Sequence, residues 1–212
     1  VTDMLERAAE GRRLRILDAG CGAGALLRRL QGEHLAIGVD SFSLALRYAQ
    51  RGGGRDVVHA SVAGLPFADG QFDAALCLDV LYHIGLEDSR QALAELRRVL
   101  RPAGWLIVRQ PAYAWLRGPQ AGWLGTQRRV TTAQLREALE GAGFDVRRLT
   151  YANTLLFPAE ALWRIARRAR AQAGGAVNPA DDWSSLGVGL DRLLAGVLGI
   201  ERRILRRRDL PF

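Results

Sequence analysis

A glycine-rich turn preceded by an acidic residue is the part of this sequence best suited to bind a charged ligand. Gly20, Gly22 and Gly24 alternate with other residues, and Asp18 lies two residues before the first of them. Glycines in such a turn let the backbone bend tightly and approach a ligand without an intervening Cβ. The free amides of a helix that starts just after the turn would point at the same ligand. The pattern therefore predicts a site for a nucleotide-containing cofactor.

The turn can work in this way only if a strand precedes it and a helix follows it. The apolar run 14–17 predicts a buried parallel strand, and leucines on one face predict a helix that starts near Ala25. A second short apolar strand, 35–40, ends in Asp40. Because the carboxyl ends of parallel strands line the ligand crevice of an open α/β sheet, we expect Asp40 beside the turn.

Two kinds of nucleotide cofactor fit this strand–turn–helix pattern. Gly20, Gly22 and Ala25, with Asp40 further along the chain, satisfy the dinucleotide-binding fingerprint. Asp18 favours S-adenosylmethionine (SAM), because a carboxylate binds the cationic ammonium of a methionine moiety and repels a pyrophosphate. SAM is the preferred interpretation, and the nicotinamide dinucleotide of a dehydrogenase remains the alternative.

The pattern over residues 14–151 resembles the class I SAM-dependent methyltransferases. The similarity includes the glycine turn, the run Leu65-Pro66-Phe67, the segment 72–84 and the helix stop at residues 101–104. The resemblance implies an α/β fold with a Rossmann-like sheet and helices on both of its faces, and the sequence beyond residue 151 adds C-terminal amphipathic helices. Further along the chain, the periodicities and stop signals predict helices over 42–51, 89–100 and 131–142, and strands over 57–60, from 72, over 105–109 and near 144–151.

The same resemblance assigns parts of the cofactor to particular residues. Asp18 and the backbone of Gly20 and Gly22 would hold the methionine end, and Asp40 would bind the ribose hydroxyls. The adenine would contact Ser61 and Val62, although Ser61 replaces the aspartate that the family usually has at this position. The full set predicted to contact SAM, or its product S-adenosylhomocysteine, is Asp18, Gly20, Cys21, Gly22, Asp40, Ser41, Ser61, Val62 and Asp79.

His83 is the predicted general base, and Tyr82 is predicted to assist it. Both residues follow the fourth strand, where the resemblance puts the edge of the active site that faces the methyl group. An imidazole is the side chain best suited to remove a proton near neutral pH. The expected activity is transfer of a methyl group to an O, N or C nucleophile of a small-molecule acceptor.

An aromatic segment between the fifth strand and the next helix is predicted to wall the substrate pocket. The residues predicted to contact the substrate are Tyr113, Trp115, Trp123 and Arg128. A His-Asp pair that related bacterial sequences carry in this segment is replaced here by Pro119-Gln120. A SAM-binding protein with lost or altered catalysis therefore remains an alternative.

The basic composition says little about the substrate. The net charge is +8, but all 30 basic residues are arginine, which fits the codon bias of a GC-rich genome. No RNA-binding motif accompanies the charge, so an RNA methyltransferase is the lesser alternative.

The only two cysteines, Cys21 and Cys77, predict reduced thiols in the cytoplasm, and no spacing of ligand residues predicts a metal site.

The C-terminal part departs from the family pattern. We expect one domain, with residues 1–151 as the SAM-binding core and residues 152–212 as a helical extension. Residues 155–173 and 186–207 predict two amphipathic helices, which leave three roles open: a substrate lid, a homodimer surface or a peripheral membrane contact. Family members end in a seventh strand that has no counterpart here, so the sequence is expected to be an incomplete copy of the natural protein.

Overall fold

The computed structural model describes residues 2–112, 130–158, 161–162, 165 and 188–205 of the 212-residue chain. The strands are β1 (Arg15–Ala19), β2 (Leu35–Asp40), β3 (Val57–His59), β4 (Phe72–Leu78) and β5 (Leu100–Arg109). The helices with defined bounds are α1 (Thr2–Ala9), α2 (Ala25–Glu33), α3 (Ser43–Arg51), α4 (Leu86–Val99), α5 (Thr132–Gly141) and α6 (Val188–Leu205). Residues 157–158, 161–162 and 165 are also helical.

The five strands form one parallel sheet in the order β3-β2-β1-β4-β5. The chain runs outward from β1 to β3 and then returns to the other side of β1 with β4, so the strand order reverses between β1 and β4. Such a reversal opens a crevice at the carboxyl ends of the two strands. The run of buried residues from Phe72 to Cys77 shows that β4 is covered on both faces, as expected for a central parallel strand. The Rossmann-like sheet of the predicted fold is therefore confirmed.

The chain divides into two compact units. Unit 1 consists of Val1–Ala112 and Gly125–Asp145, and unit 2 consists of Tyr113–Leu124 and Val146–Phe212. The sheet and the glycine turn belong to unit 1, and α6 belongs to unit 2.

Elements with strong local signals form where the sequence predicts them. The strand predicted over 35–40 is β2, and a helix starts at Ala25. Thr131 caps α5: its hydroxyl accepts the Gln134 N–H at 3.3 Å, and the Gln134 side chain accepts the Thr131 N–H at 3.0 Å.

Two boundaries around α4 differ from the prediction. The helix begins at Leu86, three residues earlier than predicted. Its first turn is acidic and polar, which suits the positive end of a helix. The same turn lacks the apolar periodicity from which the helix was predicted. Strand β5 begins at Leu100, five residues earlier than predicted. Leu100 pairs with Phe72 before the register shifts, so a bulge at residues 101–104 absorbs the Pro-Gly signal that predicted a strand start at 105.

The strand predicted near 144–151 is a wrong prediction. Described residues 144–150 form no ladder, although half-buried and exposed positions alternate from Phe144 to Arg147. Alternation predicts an extended chain, but a strand also needs a partner that supplies backbone hydrogen bonds. The helix predicted over 186–207 is confirmed as α6, whereas most of 155–173 lies outside the described residues.

Asp73 joins the amino-terminal ends of the central strands, at the sheet edge opposite the glycine turn. Its carboxylate accepts the Arg15 N–H at 2.7 Å and binds the guanidinium groups of Arg12 at 3.2 Å and Arg101 at 2.8 Å. Burial alone would raise the pKa of Asp73, but these donors outweigh it and lower the pKa below its ordinary value. The ionised carboxylate therefore stabilises the fold.

Replacing Asp73 with asparagine should lower the free energy of unfolding at pH 7 by about 1–3 kcal/mol, because a buried carboxylate that binds two half-exposed guanidinium groups loses its charge. The pKa of Asp73 is lower in the fold than in the unfolded chain. Its contribution is therefore present above the unfolded pKa and is lost as pH falls through the folded pKa. Urea titrations from pH 5 down to pH 2.5 should show the difference from wild type shrinking, because the carboxylate of the folded protein becomes protonated only below its ordinary pKa of 3.8. Glu87→Gln, which removes an exposed ion pair with Arg90, is the control and should change stability little.

Candidate active site

The glycine turn is held against the two neighbouring strand ends. The N–H groups of Gly20 and Cys21 both donate to the carbonyl oxygen of Val39, at 2.7 and 2.9 Å. Gly20 has φ +82°, and a Cβ there would lie 2.2 Å from Cγ2 of Val80, in the loop that follows β4. Only glycine fits such a position, so the turn is fixed between the ends of β2 and β4.

Asp40 fixes the middle of the turn. Its Oδ2 accepts the Gly22 N–H at 2.8 Å, and its Oδ1 accepts the Phe42 N–H at 2.8 Å, just before α3. Gly22 also has a positive φ, +53°, but a Cβ there would meet no atom within 4 Å. The turn therefore borders open space at Gly22. Each Asp40 oxygen keeps a lone pair that could accept a further hydrogen bond from a ligand.

Asp18 is a buried carboxylate without a full set of partners. The residue is 3% exposed, and its Oδ2 atom is buried without a hydrogen-bond partner. Burial, and secondarily the negative charge of Asp40, raises the pKa of Asp18 to about 6. Desolvating a carboxylate without a counter-charge is costly, so the position suits a ligand that brings a positive charge. The ammonium of a methionine moiety is such a group.

The two thiols are not nucleophiles. Burial raises the pKa of both Cys21 and Cys77 to about 12, so the thiols stay protonated near neutral pH. Sγ of Cys21 would lie 2.7 Å from a Cβ placed on Gly38, so this side chain packs against β2.

The segment after β4 carries the predicted catalytic residues. The His83 N–H donates to the Val80 carbonyl at 2.9 Å, which closes a turn, and His83 is exposed while Tyr82 is half-buried. The two rings lie 4.0 Å apart, centroid to centroid, at 36°. The structure thus brings Tyr82 and His83 together at the carboxyl end of β4.

Asp79 forms an ion pair that the sequence did not reveal. Its carboxylate accepts hydrogen bonds from Nε, at 2.8 Å, and Nη2 of Arg109, which ends β5, and its N–H donates to the Arg109 carbonyl at 2.9 Å. Asp79 has φ +59°, a strained conformation for a residue other than glycine. Because the partners are 30 residues apart, only the β4–β5 register brings them together.

The residues predicted at the adenine follow β3. Ser61 is exposed, and its Oγ accepts the Ala63 N–H at 3.2 Å, whereas Val62 is buried. Ser41 is also exposed, and its carbonyl oxygen lies 2.9 Å from Nε2 of His59. Ser61 and Ser41 therefore lie just beyond the ends of β3 and β2, beside Asp40.

A second interaction that sequence reasoning missed holds the loop between β3 and β4. Arg98 on α4 donates to the carbonyl oxygens of Phe67, at 2.7 Å, and Leu65, at 3.0 Å. Glu95 accepts the Leu65 N–H at 2.8 Å, and its hydrogen bond with Arg98 lowers the pKa of Glu95. The Leu-Pro-Phe run was recognisable in the sequence, but the side chains that anchor it were not.

The predicted substrate wall lies outside the described residues. This applies to Tyr113, Trp115, Trp123 and Arg128, and to Pro119-Gln120. Within the part of the chain that the structure describes, no group of three or more His, Cys, Asp or Glu side chains could hold a metal ion.

Known proteins are similar to the part of the chain that holds this site. Residues 17–108 match the methyltransferase domain family. Malonyl-[acyl-carrier protein] O-methyltransferase of Erwinia pyrifoliae is 34% identical over 122 residues, which are 57% of this chain and 46% of that protein. A tRNA (carboxymethyluridine(34)-5-O)-methyltransferase of Arabidopsis thaliana is 35% identical over 94 residues, or 44% of this chain and 23% of that protein. The chain thus spans about half of the first relative and about a quarter of the second.

A solved structure shares the fold. The crystal structure of a SAM-dependent methyltransferase of Thermotoga maritima, described as a possible histamine N-methyltransferase, superimposes with a TM-score of 0.56. The match covers 66% of this chain and 68% of that chain at 24% sequence identity.

Asp18→Asn should stabilise the ligand-free protein. The pKa of Asp18 is raised from 3.8 to about 6 in the fold, so the carboxyl favours folding below pH 3.8 and loses that contribution as pH rises through 6. Asparagine stays neutral, so above pH 6 the free energy of unfolding of the variant should exceed that of wild type by up to about 3 kcal/mol. Near pH 4 the two proteins should be equally stable. Chemical denaturation at pH 4, 6 and 8 measures this. A variant less stable than wild type at pH 8 would mean that Asp18 already has a counter-charge.

Proposed function

Because the chain carries a methyltransferase domain of the class I SAM-dependent family, we propose that it methylates an O, N or C nucleophile of a small-molecule acceptor, with S-adenosylhomocysteine as the second product. The observation that carries the proposal is the unpartnered Oδ2 of Asp18, buried where the glycine turn meets the crevice. A pyrophosphate would add negative charge beside Asp18 and Asp40, which argues against a dinucleotide.

We assign the parts of SAM to residues around the crevice. Asp18 would bind the ammonium, and the open side of the turn at Gly22 would leave room for the methionine backbone. Asp40 would accept hydrogen bonds from the ribose hydroxyls, with Ser41 beside it. Ser61 and the backbone of Val62 would contact the adenine. When bound, SAM supplies an electrophilic methyl group on a sulfonium.

The protein's own contribution is to orient the acceptor and to hold its proton. His83 is exposed at the end of β4 and can accept a proton from an acceptor hydroxyl or amine. Tyr82, in ring contact with it, would limit the motion of the imidazole. Asp79, held by Arg109, would fix the backbone from which both side chains project.

A small-molecule acceptor is preferred to RNA because the sequence contains no recognised RNA-binding motif. Basic charge that consists only of arginine, without an RNA-binding motif, does not indicate an RNA site. The similarity to a tRNA methyltransferase keeps RNA as the second candidate. Transfer of radiolabelled methyl from SAM to the RNA fraction of a cell extract, with none to the small-molecule fraction, would replace the first candidate by the second.

A protein that binds SAM without methyl transfer is the other alternative, because Pro119-Gln120 replaces a polar pair of related sequences. Formation of S-adenosylhomocysteine that depends on an acceptor distinguishes an enzyme from a binding protein. Both cysteines are free, and we propose the cytoplasm as the site of the reaction.

Asp18→Asn should weaken SAM binding about 10- to 100-fold, because the ammonium loses its charged acceptor. Isothermal titration calorimetry at pH 7.5 measures the affinity. Asp56→Asn, which removes an exposed aspartate that precedes β3, is the matched control and should bind SAM as wild type does. Equal affinity in wild type and Asp18→Asn would remove Asp18 from the cofactor site.

His83→Ala should lower turnover about 10²- to 10⁴-fold while SAM affinity stays nearly unchanged, as expected for the loss of a general base. Single-turnover rates with an identified acceptor measure the chemical step. Wild-type rates in this variant would mean that the acceptor loses its proton without help from His83.

A further inference from the structure

Three successive residues hold the loop that follows β4, and each contacts a different element. Asp79 binds the guanidinium group of Arg109, at the end of β5, and donates its N–H to the Arg109 carbonyl at 2.9 Å. The carbonyl oxygen of Leu81 accepts the hydroxyl of Ser89, on α4, at 3.2 Å. The loop is therefore tied to β5 just before Val80 and to α4 just after it.

Val80 itself lies against the glycine turn. A Cβ on Gly20 would lie 2.2 Å from Cγ2 of Val80 and 3.4 Å from its Cβ and Cγ1, and these would be the three nearest atoms. The γ-methyl group thus occupies the space that a side chain at residue 20 would need. The absence of a Cβ at Gly20 therefore gives Val80 its place, as well as allowing the φ of +82°.

Val80 also closes the turn that carries His83. Its carbonyl oxygen accepts the His83 N–H at 2.9 Å. A β-branched side chain is stiff about χ1, so its contact with the glycine turn restricts the backbone from which that carbonyl projects. One residue therefore connects the proposed cofactor turn, through its side chain, with the proposed base, through its carbonyl.

The glycine turn does not rely on Val80 for its own position. The N–H groups of Gly20 and Cys21 donate to the Val39 carbonyl, and the Gly22 N–H donates to Asp40. These three hydrogen bonds hold the turn to β2, on the side away from β4. Loss of the Val80 methyl groups should therefore free the His83 turn while the glycine turn stays in place.

We propose that Val80 is a positioning residue for methyl transfer, which sets the place of His83 relative to the cofactor by packing against Gly20. This role rests on the proposed function, because it concerns the same cofactor turn and the same base. Reaction rates are sensitive to such positioning, since a displacement of about 1 Å from the reactive geometry can lower a rate about 100-fold. Val80 should therefore affect turnover more than cofactor affinity.

Val80→Ala in the full chain separates these two effects. With an identified acceptor, turnover at saturating SAM should fall about tenfold or more, whereas calorimetry should give an affinity for S-adenosylhomocysteine within about threefold of wild type. In protein saturated with S-adenosylhomocysteine, the ¹⁵N order parameter of the His83 amide should fall from the ~0.85 of rigid backbone to below about 0.7. Val57→Ala, at a half-buried valine that begins β3, removes the same two methyl groups and should match wild type in all three measurements.

A second substitution at the same contact tests the packing directly. Gly20→Ala should weaken binding of S-adenosylhomocysteine at least about tenfold, because the new Cβ collides with Val80 and the residue is strained at positive φ. Adding Val80→Ala removes the colliding atom and leaves the next distance at 3.4 Å, an ordinary contact. The double variant should therefore bind at least about threefold more tightly than Gly20→Ala alone, as measured by calorimetry.

The possible failures are distinguishable. If S-adenosylhomocysteine and SAM fail to bind wild type, the proposed function and the role of Val80 are both wrong. If they bind, the role of Val80 alone is overturned by wild-type turnover and His83 order in Val80→Ala, by a loss confined to cofactor affinity, or by a double variant that binds no better than Gly20→Ala. If circular dichroism shows that Val80→Ala does not fold, Val80→Leu, which keeps the apolar area but is too long for the space at Gly20, should show the same fall in turnover and in His83 order.

Discussion

The fold buries the carboxylate of Asp18 at the end of β1 and leaves one of its oxygens without a hydrogen bond. Water is excluded from it, and Asp40, the charge that raises its pKa further, is also negative. A buried charge of this kind lowers stability unless a ligand compensates it. Cofactor affinity and the stability of the ligand-free protein are therefore opposed at this one residue, a conflict that is expected at functional sites.

The arrangement around Asp18 depends on the strand order. Because β1 lies between β2 and β4, the glycine turn can bond to Val39 on one side and pack against Val80 on the other. Asp40 then holds the turn at Gly22. The crevice is open at Gly22, where the turn has no Cβ and no other atom lies close. The backbone of the turn therefore provides a surface against which a cofactor can lie.

The features that the sequence predicted correctly are encoded locally. The glycine turn, the strand that ends in Asp40 and the helix predicted over 131–142 each depend on neighbouring residues, and each forms as predicted. The features that it did not predict depend on pairing between distant segments. The bulge before Trp105 and the Asp79–Arg109 pair follow from the β4–β5 register, which no short window of sequence contains. The missing strand near 144–151 has the same cause, because alternation cannot specify a partner.

The titration of the Asp18 carboxyl carbon, followed by ¹³C NMR in free and SAM-saturated protein, tests the account most directly. The signal can be assigned by its absence in Asp18→Asn. We expect a pKa of about 6 in the free protein, because the carboxyl is desolvated, and a pKa below the ordinary value of 3.8 once an ammonium lies against it. A pKa that stays near 6 when SAM saturates the protein would show that the cofactor's positive charge binds elsewhere.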